Sequence, residues 1–107
     1  MANYVINELS DCLVTIAYYD VNGVPYTPTS VQWRLWDDTN KVQIQDWTTI
    51  LSPATTNTFT IPGALNAMGN PVNLVESRKV IFKILAPGGA QRYDQQLFNL
   101  VNLPDVP

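Results

Sequence analysis

Histidine is absent from this 107-residue chain, cysteine occurs once, and charged residues make up only 14% of it. Each scarcity removes a class of function. Without an imidazole there is no general base for a Ser-His-Asp or Cys-His nucleophile, and zinc is left without its usual ligands. Cys12 has no partner for an intrachain disulfide; its place in an apolar run reads as a buried thiol and fits synthesis in a reducing cytoplasm. A charged fraction below the typical value of about 25% leaves the surface to Asn, Gln, Ser and Thr, a composition suited to packing against other proteins. The net charge is −3 and the six basic residues are dispersed, with only Arg78 and Lys79 adjacent. Phosphate binding requires clustered Lys and Arg, so nucleic acid is not the expected partner. No apolar run nears the ~20 residues of a membrane span. Residues 1–8 lack the basic start and apolar stretch of a signal peptide. A cytoplasmic product with no membrane partner is the expectation.

What the chain does have is alternation. Cys12 to Tyr19 is strand-like, rich in β-branched and aromatic residues, and ends at the turn Asp20-Val21-Asn22-Gly23. Pro25 and Pro28 remove two ladder donors, so the stretch between is an edge segment or a connection between sheets. Val31, Trp33 and Leu35 alternate with Gln32, Arg34 and Trp36. Residues 42–47 resume the pattern after Asp37-Asp38-Thr39-Asn40, which predicts a hairpin over 31–36 and 42–47. There Val42 and Ile44 lie on one face, with Gln43, Gln45 and Trp47 on the other. A short strand over 58–61, a helical turn over 64–68, and a second hairpin, in which Ala86-Pro87-Gly88-Gly89 joins a central apolar strand over 80–85 to a last strand over 91–102, complete the reading. About seven antiparallel strands at this spacing predict an all-β, immunoglobulin-like or fibronectin III-like sandwich over 11–102. Residues 1–10 are an N-terminal arm or edge strand, and 103–107 an extended tail.

Chemistry is sparse. Lys41, Lys79 and Lys83 fall in or beside alternating strands and read as a solvated strand face. Asp37 and Asp38 are neighbours in a turn, where their side chains diverge, unlike the facing pair of a glycosidase. Asp20-Val21-Asn22-Gly23 starts like a calcium loop but lacks the later bidentate Glu, so turn chemistry explains it better. No enzyme activity, cofactor or metal is expected. The aromatics carry more. Alternation sends Trp33 into the core, while Trp36 shares parity with Arg34 and Trp47 with Gln43 and Gln45. Trp36 and Trp47 are then either an exposed binding patch, with Arg34 as a hot-spot cation, or are folded into the sandwich rim. Tyr18, Tyr19, Tyr26 and Tyr93 carry the same two alternatives. The candidate interface is Tyr4, Val5 and Ile6 in the arm together with Tyr26, Arg34, Trp36 and Trp47. A patch of this kind also suits a carbohydrate-binding module that stacks sugar on aromatic rings.

The run Val14 to Leu35 carries a Tyr18-Tyr19-Asp20-Val21-Asn22-Gly23 turn, a Thr27-Pro28-Thr29-Ser30-Val31 stretch and Trp33-Arg34-Leu35. Asp37-Asp38, Asp46-Trp47-Thr48 and the later Glu76, Arg78 and Val80 follow it. Over roughly residues 13–102 this resembles the small immunoglobulin-like structural proteins of tailed bacteriophages and prophages. Trp33-Arg34-Leu35 stands where those have a Tyr-Arg-Ile element. The resemblance implies a virion protein made in the host cytoplasm: a capsid decoration protein, or a tail, head–tail junction or baseplate component. Its partners would be the major capsid protein or other virion proteins, with self-association on the particle.

Overall fold

The strict alternation of β3 is what divides the molecule into an inside and an outside. Its Val31, Trp33, Leu35 and Asp37 are buried, and its Gln32, Arg34 and Trp36 are half-buried on the opposite face. The computed structural model describes residues 4–70 and 72–102, Tyr4 by its backbone alone. Among these are seven strands: β1 (Tyr4–Asn7), β2 (Cys12–Ala17), β3 (Ser30–Asp37), β4 (Val42–Thr49), β5 (Thr56–Ile61), β6 (Val75–Leu85) and β7 (Gln91–Val101). A single 3-10 turn at Gly63–Asn66 links β5 to β6, where a helical turn was expected. One sheet has the order β1-β7-β6-β3-β4, and the other is the pair β2-β5. The architecture is all-β in two layers. No described helix is long and apolar enough to cross a membrane.

Both sheets feed one core. Cys12, Val14 and Ile16 of β2 and Ile61 of β5 close over Val31, Trp33, Leu35, Val80, Phe82, Ile84 and Phe98 of the larger sheet. Trp33 stacks on Phe59 at 4.9 Å between ring centroids, and Phe59 meets Phe82 edge-on at 6.1 Å, which ties the layers together. Each fully buried large side chain contributes roughly 1.5–3 kcal/mol. The apolar strand expected over 80–85 is the C-terminal half of β6, which lies at the centre of its sheet.

Three expectations need correction. The strands are not all antiparallel: β1 runs parallel to β7, with Tyr4 opposite Phe98 and Asn7 opposite Val101. The N-terminal arm, from residue 4, is thus an edge strand of the domain; residues 1–3 and the tail 103–107 lie outside the described residues. Strand β6 starts at Val75, because a polar pair, Glu76 and Arg78, is buried in it. Finally, Gln45 does not share a face with Gln43, opposite Val42 and Ile44. Pairing with β3 shifts twice, from Trp33↔Thr48 to Leu35↔Gln45 to Trp36↔Gln43. Each shift is a bulge that adds a residue to β4 and reverses its facing. Gln45 and Thr48 therefore face inward opposite Leu35 and Trp33, Ile44 packs against the core, and Val42 is exposed. Because two reversals cancel, Gln43 and Trp47 both face outward.

Candidate functional site on the outer sheet face

The register places Arg34 beside Ile81, Trp36 beside Lys79 and Gln32 beside Lys83, all on the face turned away from the core. The same ladder carries Lys83 to Tyr93 on β7. The second bulge of β4 then swings Trp47 into this row. Its ring lies 4.5 Å from the Lys83 ammonium, 5.2 Å from the Arg34 guanidinium carbon and 6.4 Å from the Tyr93 ring. Arg34 also reaches the Trp36 ring at 5.9 Å and donates from Nη1 to Gln43 Oε1 at 3.3 Å. Arg34, Trp36 and Trp47, three of the candidates read from sequence, are thus brought together. Lys83 and Tyr93 join them, and alternation across β6 and β7 was the signal that could have placed both there. Both indoles are half-buried, intermediate between the open patch and the folded rim.

Tyr26 lies elsewhere. It packs on Tyr18 at 6.3 Å, and its N–H donates to the Tyr18 carbonyl. It lines a cleft of about 380 Å³ with Tyr19, Ile84, Pro87 and Arg92 at the end of the sandwich. Tyr18 itself is buried and donates its hydroxyl to Asn57 Oδ1 at 3.0 Å. Burial, reinforced by Tyr26, pushes its phenol up to about 12. Val5 and Ile6 sit on β1, Val5 exposed and Ile6 against the core, so the arm residues form a third location. The side chain of Tyr4 lies outside the described residues.

Sequence reasoning missed a buried polar centre. Glu76, Arg78 and Asp37 are at most 1% exposed. The Glu76 carboxylate accepts from five donors: Asn40 Nδ2, the Gly69 and Asn70 amides, Asn73 Nδ2 and Arg78 Nη2, at 2.7–3.0 Å. Burial pushes its pKa upward, but these bonds outweigh that and hold it at about 2. Arg78 also donates to the Ala67 carbonyl at 3.0 Å and lies 3.6 Å from Asp37. Residues scattered over 37–78 in sequence leave no periodic signal for such a cluster. It clamps the 37–40 turn and Gly69, Asn70 and Asn73 to β6.

Comparisons with known protein families, with curated proteins and with solved structures found no match to this chain. The site must speak for itself. Among the described residues no group of three or more His, Cys, Asp or Glu is placed to hold a metal ion. The Asp20 carboxylate accepts from the Asn22 and Val24 amides of its own turn at 2.8 and 3.0 Å, which is turn chemistry. What the outer face can do is bind: it offers flat aromatic area and two cations held against it.

Proposed function

We propose that the protein is an immunoglobulin-like structural component of a tailed-phage particle, and specifically a capsid decoration protein that binds the outer shell and neighbouring copies of itself. The observation that carries this reading is the outward face of the five-stranded sheet. There Arg34, Trp36, Trp47 and Tyr93, of the residue types enriched at binding hot spots, gather beside Lys83. The connectivity supports the finer fold. Pairing β2 with β5, and ordering β7, β6, β3 and β4 side by side, follows the B–E and G–F–C–C′ neighbours of a variable-type immunoglobulin sandwich. Quantitative mass spectrometry of purified particles tests the function. Hundreds of copies per particle are expected of a decoration protein. A few to a few dozen would shift it to a tail, junction or baseplate part, and absence would sink the virion reading.

The shared face of Trp36, Trp47 and Tyr93 favours a carbohydrate-binding module as the second reading. It ranks lower because Arg34 and Lys83 already lie against the Trp47 ring that a sugar would need. Glycan-array binding abolished by a Trp36→Ala/Trp47→Ala double variant would raise it to first.

A further inference from the structure

We infer that the Arg34–Trp47–Lys83 face is a receptor for carboxylates, and that its partner presents an acidic protein segment there. The inference rests on reading the chain as an assembly module and names the chemistry of the surface it meets. Two like charges are held against one indole, the Lys83 ammonium at 4.5 Å and the Arg34 guanidinium at 5.2 Å. Neither enters an ion pair with a described residue, although Lys41 and Lys79 both pair with Asp38. Arg34 Nε is buried with no hydrogen-bond partner. Along the register of β7, β6 and β3 around these cations no position on this face is acidic: Leu97, Gln95, Tyr93, Lys79, Ile81, Lys83, Gln32, Arg34 and Trp36 stand there. On β4 the one carboxylate beside Trp47, Asp46, accepts from the Trp47 amide and pairs with neither cation. In a chain of net charge −3, Arg34 and Lys83 are thus two cations on this face without a counter-charge, whereas Lys79 has Asp38. Like charges gathered without an anion cost stability by themselves, and an incoming carboxylate removes that cost. Arg34 offers it a planar guanidinium and Lys83 a point charge, both held in place by the Trp47 ring, while Trp36 and Tyr93 give the rest of the segment an apolar bed.

The test is titration of the purified chain with decaglutamate at low salt, followed by tryptophan emission. Trp33 is buried, so any change reports Trp36 and Trp47. A saturable response is expected, weakened by added salt and by about ten-fold or more in an Arg34→Gln/Lys83→Gln variant that still unfolds cooperatively well above the assay temperature. The salt dependence of the wild-type chain stands without the variant. No response to decaglutamate overturns the inference. So does a response confined to a sulfated heparin oligosaccharide, which would make the face a glycan site. Particle loading separates this from the function. If the wild-type chain loads and the double variant loads equally, the carboxylate receptor is overturned and the virion role stands. If the wild-type chain is absent from particles, the role falls while the titration still decides the receptor.

Discussion

Glu76 is the residue on which most of the buried polar structure depends. Replacing it with Gln sets an amide N–H₂ against donors that need an acceptor and leaves Arg78 with Asp37, 3.6 Å away, as its nearest counter-charge. Glu76→Gln should cost about 3 kcal/mol in urea unfolding at neutral pH. The acid limb follows from the same bonds. The folded carboxyl is held at about 2 against an ordinary 4.5, so its contribution is fully present above pH 4.5 and is lost as pH falls through about 2. A pH series of unfolding midpoints should show that loss in the wild-type chain and a flatter limb in Glu76→Gln. Tyr18 sets the alkaline limb. Its pKa is raised from 10.0 to about 12, so its contribution is present below pH 10 and disappears as pH rises through about 12. Absorbance titration near 295 nm should show one of the five tyrosines ionising last, together with unfolding.

At the scale of the strand, β4 decides where the indoles go. Trp33 is core and Trp47 is surface, and the two should separate cleanly on truncation. Trp33→Ala removes the ring that stacks on Phe59 and should cost about 4 kcal/mol. Trp47→Ala loses contacts with Arg34 and Lys83 and should cost about 1 kcal/mol, with the fold kept. Chemical denaturation measures both. The loop that caps β6 is equally specific. A Cβ at Gly69 would come within 2.6 Å of Asn40 Nδ2 and 2.8 Å of Asp37 Oδ2, so Gly69→Ala should loosen the carboxylate cluster and lower the unfolding midpoint. The hairpin of β3 and β4, the β6–β7 hairpin and the core role of Trp33 were legible because alternation is a local signal. The two bulges were not: each arises from how β4 pairs with β3, and Gln45 is as acceptable on either face by composition. The parity that Trp47 shares with Gln43 survives only because one bulge undoes the other.

For the whole molecule, the edges matter most. Strand β1 closes one side of the larger sheet by parallel pairing with β7, and its continuation is bonded in: Glu8 donates to the Val101 carbonyl and Leu9 to that of Asn66. Removing residues 1–10 would therefore disturb the fold as well as any interface. Removing residues 1–7 is the cleaner cut, and it should leave the sandwich folded while exposing the β7 edge. Increased self-association by sedimentation velocity is the expected result, since an open edge templates new strand pairing. The three locations of the candidate interface residues, on β1, on the outer face and at the Tyr26 cleft, also became visible only at this scale.

The sequence by itself determined the all-β class, the strand positions apart from the start of β6, and the inward course of Trp33, because period-two alternation and turn chemistry act between neighbours. Only the tertiary structure decided that β1 runs parallel to β7, that Glu76, Arg78 and Asp37 meet inside, and that Lys83 and Tyr93 complete a face with Arg34 and Trp47. Those contacts join residues from distant strands, and register between strands, not order along one strand, sets which side chains touch.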